Sequence, residues 1–285
     1  MADRRPRRGS LEGAGGAGVG EPLGGVVGVR VMAARYCSSV CGRYTLASPA
    51  ETIAASFGLG GADGVPELAP RYNIAPTQPV AAVRALPNEP EAGRSAPKRV
   101  LEMRRWGLVP HWAKAISGPT LFNARAESLP DRPAFRASFR RHRCLIPADG
   151  FYEWRAASGR RLPFHIRRAD RAPFAMAGLH ACWCPADGEP VDSCTIVTTR
   201  ANALLAPLHD RMPVILPPEA WAAWLDPDSE GTVSILELLK PVEAVGWVAY
   251  AVDPQVNRAR HDDPANIEPL FDEERSSPVR GHEGP

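Results

Sequence analysis

Six short islands of this chain combine chemically competent side chains with turn-forming residues: CGRYTL, RYNIAPTQ, WGLVPHW, FNARAES, GFYEW and HDRMPVIL. Glu153 lies between Tyr152 and Trp154, an alternation that predicts a strand with the two aromatics on one face. Neighbouring aromatics desolvate a carboxylate and raise its pKa, which suits a general acid–base. The plainer alternative is a surface glutamate on a half-buried strand. His209 brings an imidazole able to move protons near neutral pH. Its alternative is a turn histidine bonded to backbone, with Asp210 beside it as a candidate orienter. Asn123 and Arg125, as i and i+2, share a face if FNARAES is a strand. The arginine fork there matches two phosphate oxygens; an ordinary polar strand face is the competing reading. In RRWGLVPHWAK, Arg105, Trp106, Trp112 and Lys114 interleave cations with aromatics. Such a pattern suits single-stranded nucleic acid, where stacking contributes about 1–3 kcal/mol per base. One of the two tryptophans is expected in the core. Cys41 opens the first island, and taken alone it reads as a small buried hydrophobe.

Metal chemistry has weaker support. CSSVC has zinc-like spacing but no second ligand pair follows it. HACWC puts His180, Cys182 and Cys184 on alternate positions of a strand, which is not the spacing of a zinc knuckle. No glycine loop of the phosphate-binding type is present. No metal and no cofactor are expected.

The elements that must position these residues follow from local pattern. Residues 49–58 predict a short helix with Ile53, Ala54 and Phe57 on one face and glycine at the end. Strands are predicted around QPVAAVRAL, KRVLEMRRWGLVP, RCLIPADGFYEW, PFHIRRA, FAMAGLHACW and CTIVTTRA. PPEAWAAWLDP and TVSILELLKP predict two further helices, and residues 87–98 and 185–193 read as turn-rich loops. Many strands with few helices imply an α+β domain spanning 40–272, with a mainly antiparallel, barrel-like β core. Residues 1–39, rich in Gly, Arg and Ala without periodicity, read as a disordered extension or one foreign to the fold, and 273–285 as a polar tail.

Composition sets outer bounds. Of 285 residues, 44% are hydrophobic, enough for a sizeable core, while 30 prolines and 25 glycines imply many turns. No apolar run reaches the roughly 20 residues that span a bilayer. No signal peptide is recognisable, and six scattered cysteines do not imply a disulfide framework. A soluble cytosolic protein is expected. The net charge is only +2, yet residues 99–171 hold 16 Lys/Arg against 6 Asp/Glu. That asymmetry fits either a basic face for a polyanion or a surface neutralised by acids from elsewhere in the fold.

Taken in order, the six islands resemble the SRAP family (SOS response-associated peptidase domain), over nearly all of residues 41–270. The resemblance implies an abasic-site sensor acting in the DNA damage response of the bacterial cytosol or nucleoid. It also implies a mature N-terminal cysteine at Cys41, which is internal in this chain. Val40 is accordingly expected to be a misread GTG start codon, or else the last residue trimmed by proteolysis. A terminal cysteine carries a thiol beside an α-amine of pKa about 7.7–8.0, against about 10.4 for lysine. The amine attacks an aldehyde, and the thiolate then closes a thiazolidine ring. An internal cysteine lacks that amine, because its nitrogen is an amide. By resemblance Glu153 opens the sugar and takes part in reversal, His209 assists crosslinking, and Asn123 fixes the sugar or amine. Arg43, Arg71, Arg105 and Arg125 would hold phosphates, with Trp106 and Trp112 stacking or wedging beside the lesion. For Arg43 and Arg71 a structural salt bridge is the alternative. A monomer is expected, with abasic single-stranded DNA and replication machinery as partners and no membrane. Two other classes stay open: a thiol hydrolase or self-processing peptidase built on Cys41 and His209, and a non-catalytic single-strand-binding module. One departure from the family pattern is His261 in VNRARHDDPANIEP, where asparagine is expected.

Overall fold

The computed structural model describes residues 42–60, 65–86, 98–116, 120–157, 160–229 and 233–270. Cys41, the segment before it, most of the 87–98 loop and the 273–285 tail lie outside the described residues.

Two sheets form the molecule. In the first, β1 (Tyr44–Leu46) pairs with β2 (Arg71–Ile74) after α1 (Ala50–Phe57). In the second, β3 (Pro79–Ala85) and β4 (Arg99–Trp106) form an antiparallel pair, and β5 (Asn123–Arg125) follows. Next come α2 (Pro133–Arg141), β6 (Arg143–Ala148), β7 (Gly150–Ala157), β8 (Arg160–Arg168), β9 (Phe174–Trp183) and β10 (Val191–Arg200). The remaining elements are β11 (Arg211–Pro213), β12 (Ile215–Leu216), α3 (Pro218–Leu225), α4 (Val233–Glu237) and β13 (Trp247–Ala251).

The first sheet runs β13-β8-β7-β1-β2. In the second, the order β10-β4-β3-β6-β9 returns to β10 through a β9–β10 pairing, so five strands close into a barrel. Every junction of that barrel is antiparallel except β4–β10, which is parallel. The expected antiparallel, barrel-like core of an α+β domain is what the chain forms. Closure removes the sheet edges that would otherwise be left unpaired.

Local sequence explains the helices. α1 buries Ile53, Ala54 and Phe57 and ends at Gly58, whose φ of 63° lets its N–H reach the Ala54 carbonyl. α3 follows two prolines and buries Trp221 and Trp224, whose indole N–H groups donate to the carbonyls of Leu216 and Cys144. α2, absent from the sequence expectation, starts at Pro133 and buries Phe135, Ser138 and Phe139. Arg143 fastens α2 and α3 to the barrel by donating to the carbonyls of Phe139, Arg140, Trp224 and Asp226.

The segment 252–270 packs on the outer face of the first sheet, where Tyr152, Val252 and Val256 make a second small core. Asn73 holds this segment by donating to the carbonyls of Val256, Arg258 and His261. The His261 carbonyl also accepts from Asn266 at 2.7 Å. His261 thus serves the loop through its main chain, which accounts for a histidine being accommodated there. No helix among the described residues is long and apolar enough to cross a membrane.

Candidate active site

The site is assembled around the start of β1. Tyr44 pairs with Phe151 and Thr45 with Gly150, a register that sets Gly42 opposite Glu153. The Tyr152 N–H donates to the Arg43 carbonyl at 3.0 Å and fixes that register. A Cβ on Gly42 would lie 3.9 Å from Phe122, the residue before Asn123. The chain therefore passes from Cys41 into a first described residue that has Glu153 on one side and the β5 approach on the other.

Glu153 is 1% exposed, so it is not the surface glutamate of the plainer reading. Strand alternation puts it on the opposite face of β7 from Tyr152 and Trp154, whose rings are 6.4 Å apart on the outer side. The desolvating neighbours are therefore not the flanking aromatics. Phe164, its partner on β8, is the residue opposite.

β5 pairs in parallel with β10, Asn123 with Ile196 and Arg125 with Thr198. Trp106 supports this short strand from below, its indole N–H donating to the Phe122 carbonyl at 2.8 Å. Arg125 is exposed on the same face as Asn123. Thr198 pairs with Pro213 on its other side, bringing β11 alongside. Arg211, which the sequence reading did not single out, bridges the two edges. It donates to both carboxylate oxygens of Glu127 at 3.0 and 2.9 Å and to the Thr198 carbonyl at 2.6 Å. Burial would raise the Glu127 pKa, but the Arg211 hydrogen bonds and the Arg125 charge hold it below the ordinary value. The signal for Arg211 was available two residues after His209 in HDRMPVIL.

His209 is buried to 8% exposure and its Nδ1 accepts the Arg211 N–H at 3.0 Å. That bond places the neutral ring's hydrogen on Nε2. Asp210 Oδ1 is also 2.9 Å from Nδ1, a contact that becomes an ion pair only in the imidazolium. Burial lowers the His209 pKa against the pull of Asp210, and Arg161 and Arg211 push it further down. The neutral form, which presents Nε2–H as a donor, is favoured. Arg161 itself lies 5.7 Å over the Trp154 ring.

Other expected site residues are placed elsewhere. Trp106 is fully buried, with Tyr44 at 5.3 Å and Phe122 at 6.0 Å edge-on, so it is core and cannot stack on a base. Trp112 is 57% exposed. Arg43 commits its guanidinium to Asn73 Oδ1 at 3.0 Å and the Val256 carbonyl at 2.7 Å, and burial lowers its pKa. Arg71 is tied to Asp262 and Gln78. Arg71 therefore makes the structural salt bridge of the alternative reading, and Arg43, just before β1, anchors the segment 252–270 through neutral acceptors instead. Arg105 donates to the Gly107 carbonyl at 2.8 Å and lines a cleft of about 160 Å³ with Pro110 and Ile116.

Among the described residues no cluster of three or more His, Cys, Asp or Glu could hold a metal. Cys182 and Cys184 are exposed with sulfurs 3.9 Å apart, and Cys144 and Cys194 are buried. Burial pushes the Cys144 thiol up to about 12 and Cys194 well above its ordinary value, so neither is a ready nucleophile.

The chain matches the family model for SOS response associated peptidase (SRAP) over residues 40–259. It belongs to the SRAP family. This SRAP chain is 38% identical over 231 residues to the abasic site processing protein YoqW of Bacillus subtilis (strain 168), covering 80% of this chain and 99% of that one. It is 29% identical over 234 residues to the abasic site processing protein HMCES of Xenopus tropicalis, covering 74% and 69% of the two chains. A crystal structure of a protein from Bordetella bronchiseptica superposes with a TM-score of 0.61 at 28% identity, covering 75% of this chain and all of that one. A protein from Bacteroides thetaiotaomicron shares the SRAP fold with a TM-score of 0.68 at 24% identity, covering 81% and 100%.

Proposed function

We propose that this protein processes abasic sites in single-stranded DNA by joining Cys41 to the open-chain sugar. The observation that carries the reading is the burial of Glu153 opposite Gly42, one residue from Cys41. A carboxyl group held out of water at that position can serve both as acid and as base. It takes the proton of the anomeric hydroxyl and returns one to the ring oxygen as the C1–O4′ bond breaks, which frees the aldehyde. The Cys41 amine adds to the carbonyl carbon, and loss of water leaves an imine. The thiolate then adds to the same carbon while the nitrogen takes up a proton, so the overall change is aldehyde plus aminothiol giving thiazolidine and water. Neutral His209 assists these steps as a hydrogen-bond donor through Nε2–H, its Nδ1 being held by the Arg211 N–H, and Asn123 hydrogen-bonds the sugar or the amine. Arg125 holds phosphate beside the lesion, and Trp112 stacks on a flanking base.

This chemistry requires Cys41 to be the first residue of the working protein, since an acylated nitrogen cannot form the imine. The names of the relatives support abasic-site processing, and the location that goes with it is the bacterial cytosol. Peptide hydrolysis, after which the family is named, is the second reading, with removal of the residues before Cys41 as its minimal act.

The test is to incubate protein beginning at Cys41 with single-stranded DNA carrying an aldehydic abasic site. A heat-stable, denaturant-resistant adduct is expected, and Glu153→Gln should slow its formation about 10²–10⁴-fold while sparing binding. Peptide turnover without an adduct would replace this reading with the hydrolase. Salt-sensitive, reversible retention alone would reduce the protein to a binding module.

A further inference from the structure

The outer face of α2 carries a row of cations that the site described above does not use. Phe135, Ser138 and Phe139 face inward, whereas Arg132, Arg136 and Arg140 recur at i, i+4 and i+8 and are all exposed. At 1.5 Å rise per residue the backbones of Arg136 and Arg140 are about 6 Å apart along the helix, and Arg132 precedes them at the N-cap with its guanidinium 5.5 Å over the Phe135 ring. Among the described residues none of the three has an ion-pair partner, unlike the exposed Arg168, which pairs with Asp170, or Arg211, which pairs with Glu127.

Helix stability does not account for the stripe. Like charges four residues apart repel by a few tenths of a kcal/mol. Arg132 is the residue that caps the N-terminus of α2, where the helix dipole disfavours a cation. Only Arg140, in the last turn, suits the dipole. The stripe is also continuous with the site. Arg125 ends β5, a 3₁₀ turn spans Ala126–Ser128, and the Arg132 N–H donates to the Ser128 carbonyl at 3.0 Å. Along the chain the row of cations thus begins seven residues beyond Arg125, the residue assigned to phosphate at the lesion. A row of unneutralised, evenly spaced guanidinium groups suits a polyanion whose charges are themselves in a row.

Resting on the DNA reading above, we infer that the Arg132–Arg136–Arg140 face of α2 is a phosphate track for the nucleic-acid backbone flanking the abasic site. It lengthens the footprint without touching the chemistry. The occupant is the phosphodiester backbone of the single strand that flanks the lesion; a duplex arm is the competing occupant that the test excludes.

The experiment measures the affinity of the full chain against salt concentration, using strands with a tetrahydrofuran abasic analogue that has no aldehyde and cannot crosslink. One set carries a single-stranded flank, a second a duplex arm, and a third is too short to extend beyond the lesion. Replacing all three arginines by alanine should make the plot of log K against log salt shallower by about 2 on the single-stranded flank. A change confined to the duplex arm would overturn the assignment to the single strand. The triple lysine variant, which keeps the charges, should retain most of the wild-type slope, and all variants should bind the short strand alike. Wild-type slopes in the alanine variant on both flanks would overturn the inference, as would equal losses in the lysine and alanine variants. Failure of the aldehydic substrate to form an adduct with wild type would sink the crosslinking chemistry instead, leaving these slopes to be read on their own.

Discussion

Acidification from about pH 7 to pH 5 should unload a defined part of this protein's stability through one side chain, His165. The ring is 2% exposed, between Thr45 Oγ1 at 3.3 Å from Nε2 and the Tyr250 hydroxyl at 3.1 Å from Nδ1. Tyr250 donates its own hydrogen to the Ile267 carbonyl at 2.8 Å, so its oxygen accepts from Nδ1–H and the neutral imidazole is satisfied. Burial, with Arg167 adding to it, pushes the pKa down to about 3. In the unfolded chain the same group titrates near 6.5. Between these values the unfolded state binds a proton that the folded state refuses. The contribution of the neutral ring is therefore fully present above about pH 6.5 and is lost as pH falls toward 3. At 1.36 kcal/mol per unit the loss is about 2 kcal/mol by pH 5 and about 4 kcal/mol at pH 3. Urea unfolding of wild type and His165→Gln at the two pH values isolates this contribution, since titrations common to both proteins cancel. The variant should be the less stable protein near neutrality, and the gap should narrow by about 2 kcal/mol at pH 5. A gap that stays constant with pH would refute the argument.

The same neighbourhood makes Gly150 irreplaceable by alanine: a Cβ there would sit 2.2 Å from His165 Nε2 and 2.9 Å from the Ile166 carbonyl. Gly150→Ala should cost about 3 kcal/mol in thermal or urea unfolding, at the upper end of overpacking. The two tryptophans should separate cleanly. Trp112→Ala should leave the melting temperature unchanged and weaken single-strand binding by about 1–3 kcal/mol. Trp106→Phe should cost about 2 kcal/mol of stability through the lost indole hydrogen bond and the void beside Tyr44 and Phe122, read by denaturation. His209, held below its ordinary pKa by burial, should act in its neutral form, as an Nε2–H donor, throughout the neutral range. The ratio of wild-type to His209→Ala adduct rates should then be flat above about pH 6.5 and fall only at more acid pH. A ratio that declines already between neutrality and pH 6.5 would contradict the downward shift.

Much of the scaffold was written in local pattern. Alternation and turn residues mark β3, β4 and β6–β10, and the prolines around PPEAWAAWLDP and the glycine after ASF mark α3 and α1. The α2 helix escaped because PAFRASFRR offers only Phe135 and Phe139 as large apolar residues amid arginines that read as a charged stretch. The two- and three-residue strands β5, β11 and β12 carry no period that can be counted; they exist because β9 and β10 provide edges for them. Sequence by itself also determined the chemical inventory, since a carboxylate between aromatics, an imidazole, and an asparagine and arginine two apart are properties of side-chain type and spacing. Which of them face the site was decided by tertiary structure alone. Trp106 and Trp112 come from one island, and Arg43 and Arg125 look alike in the chain. Yet barrel closure buries Trp106, and the 252–270 segment captures Arg43, while Trp112 and Arg125 are left outside. The reason is physical: burial and hydrogen-bond partnership depend on residues as many as 213 positions away, brought near only when the sheets close.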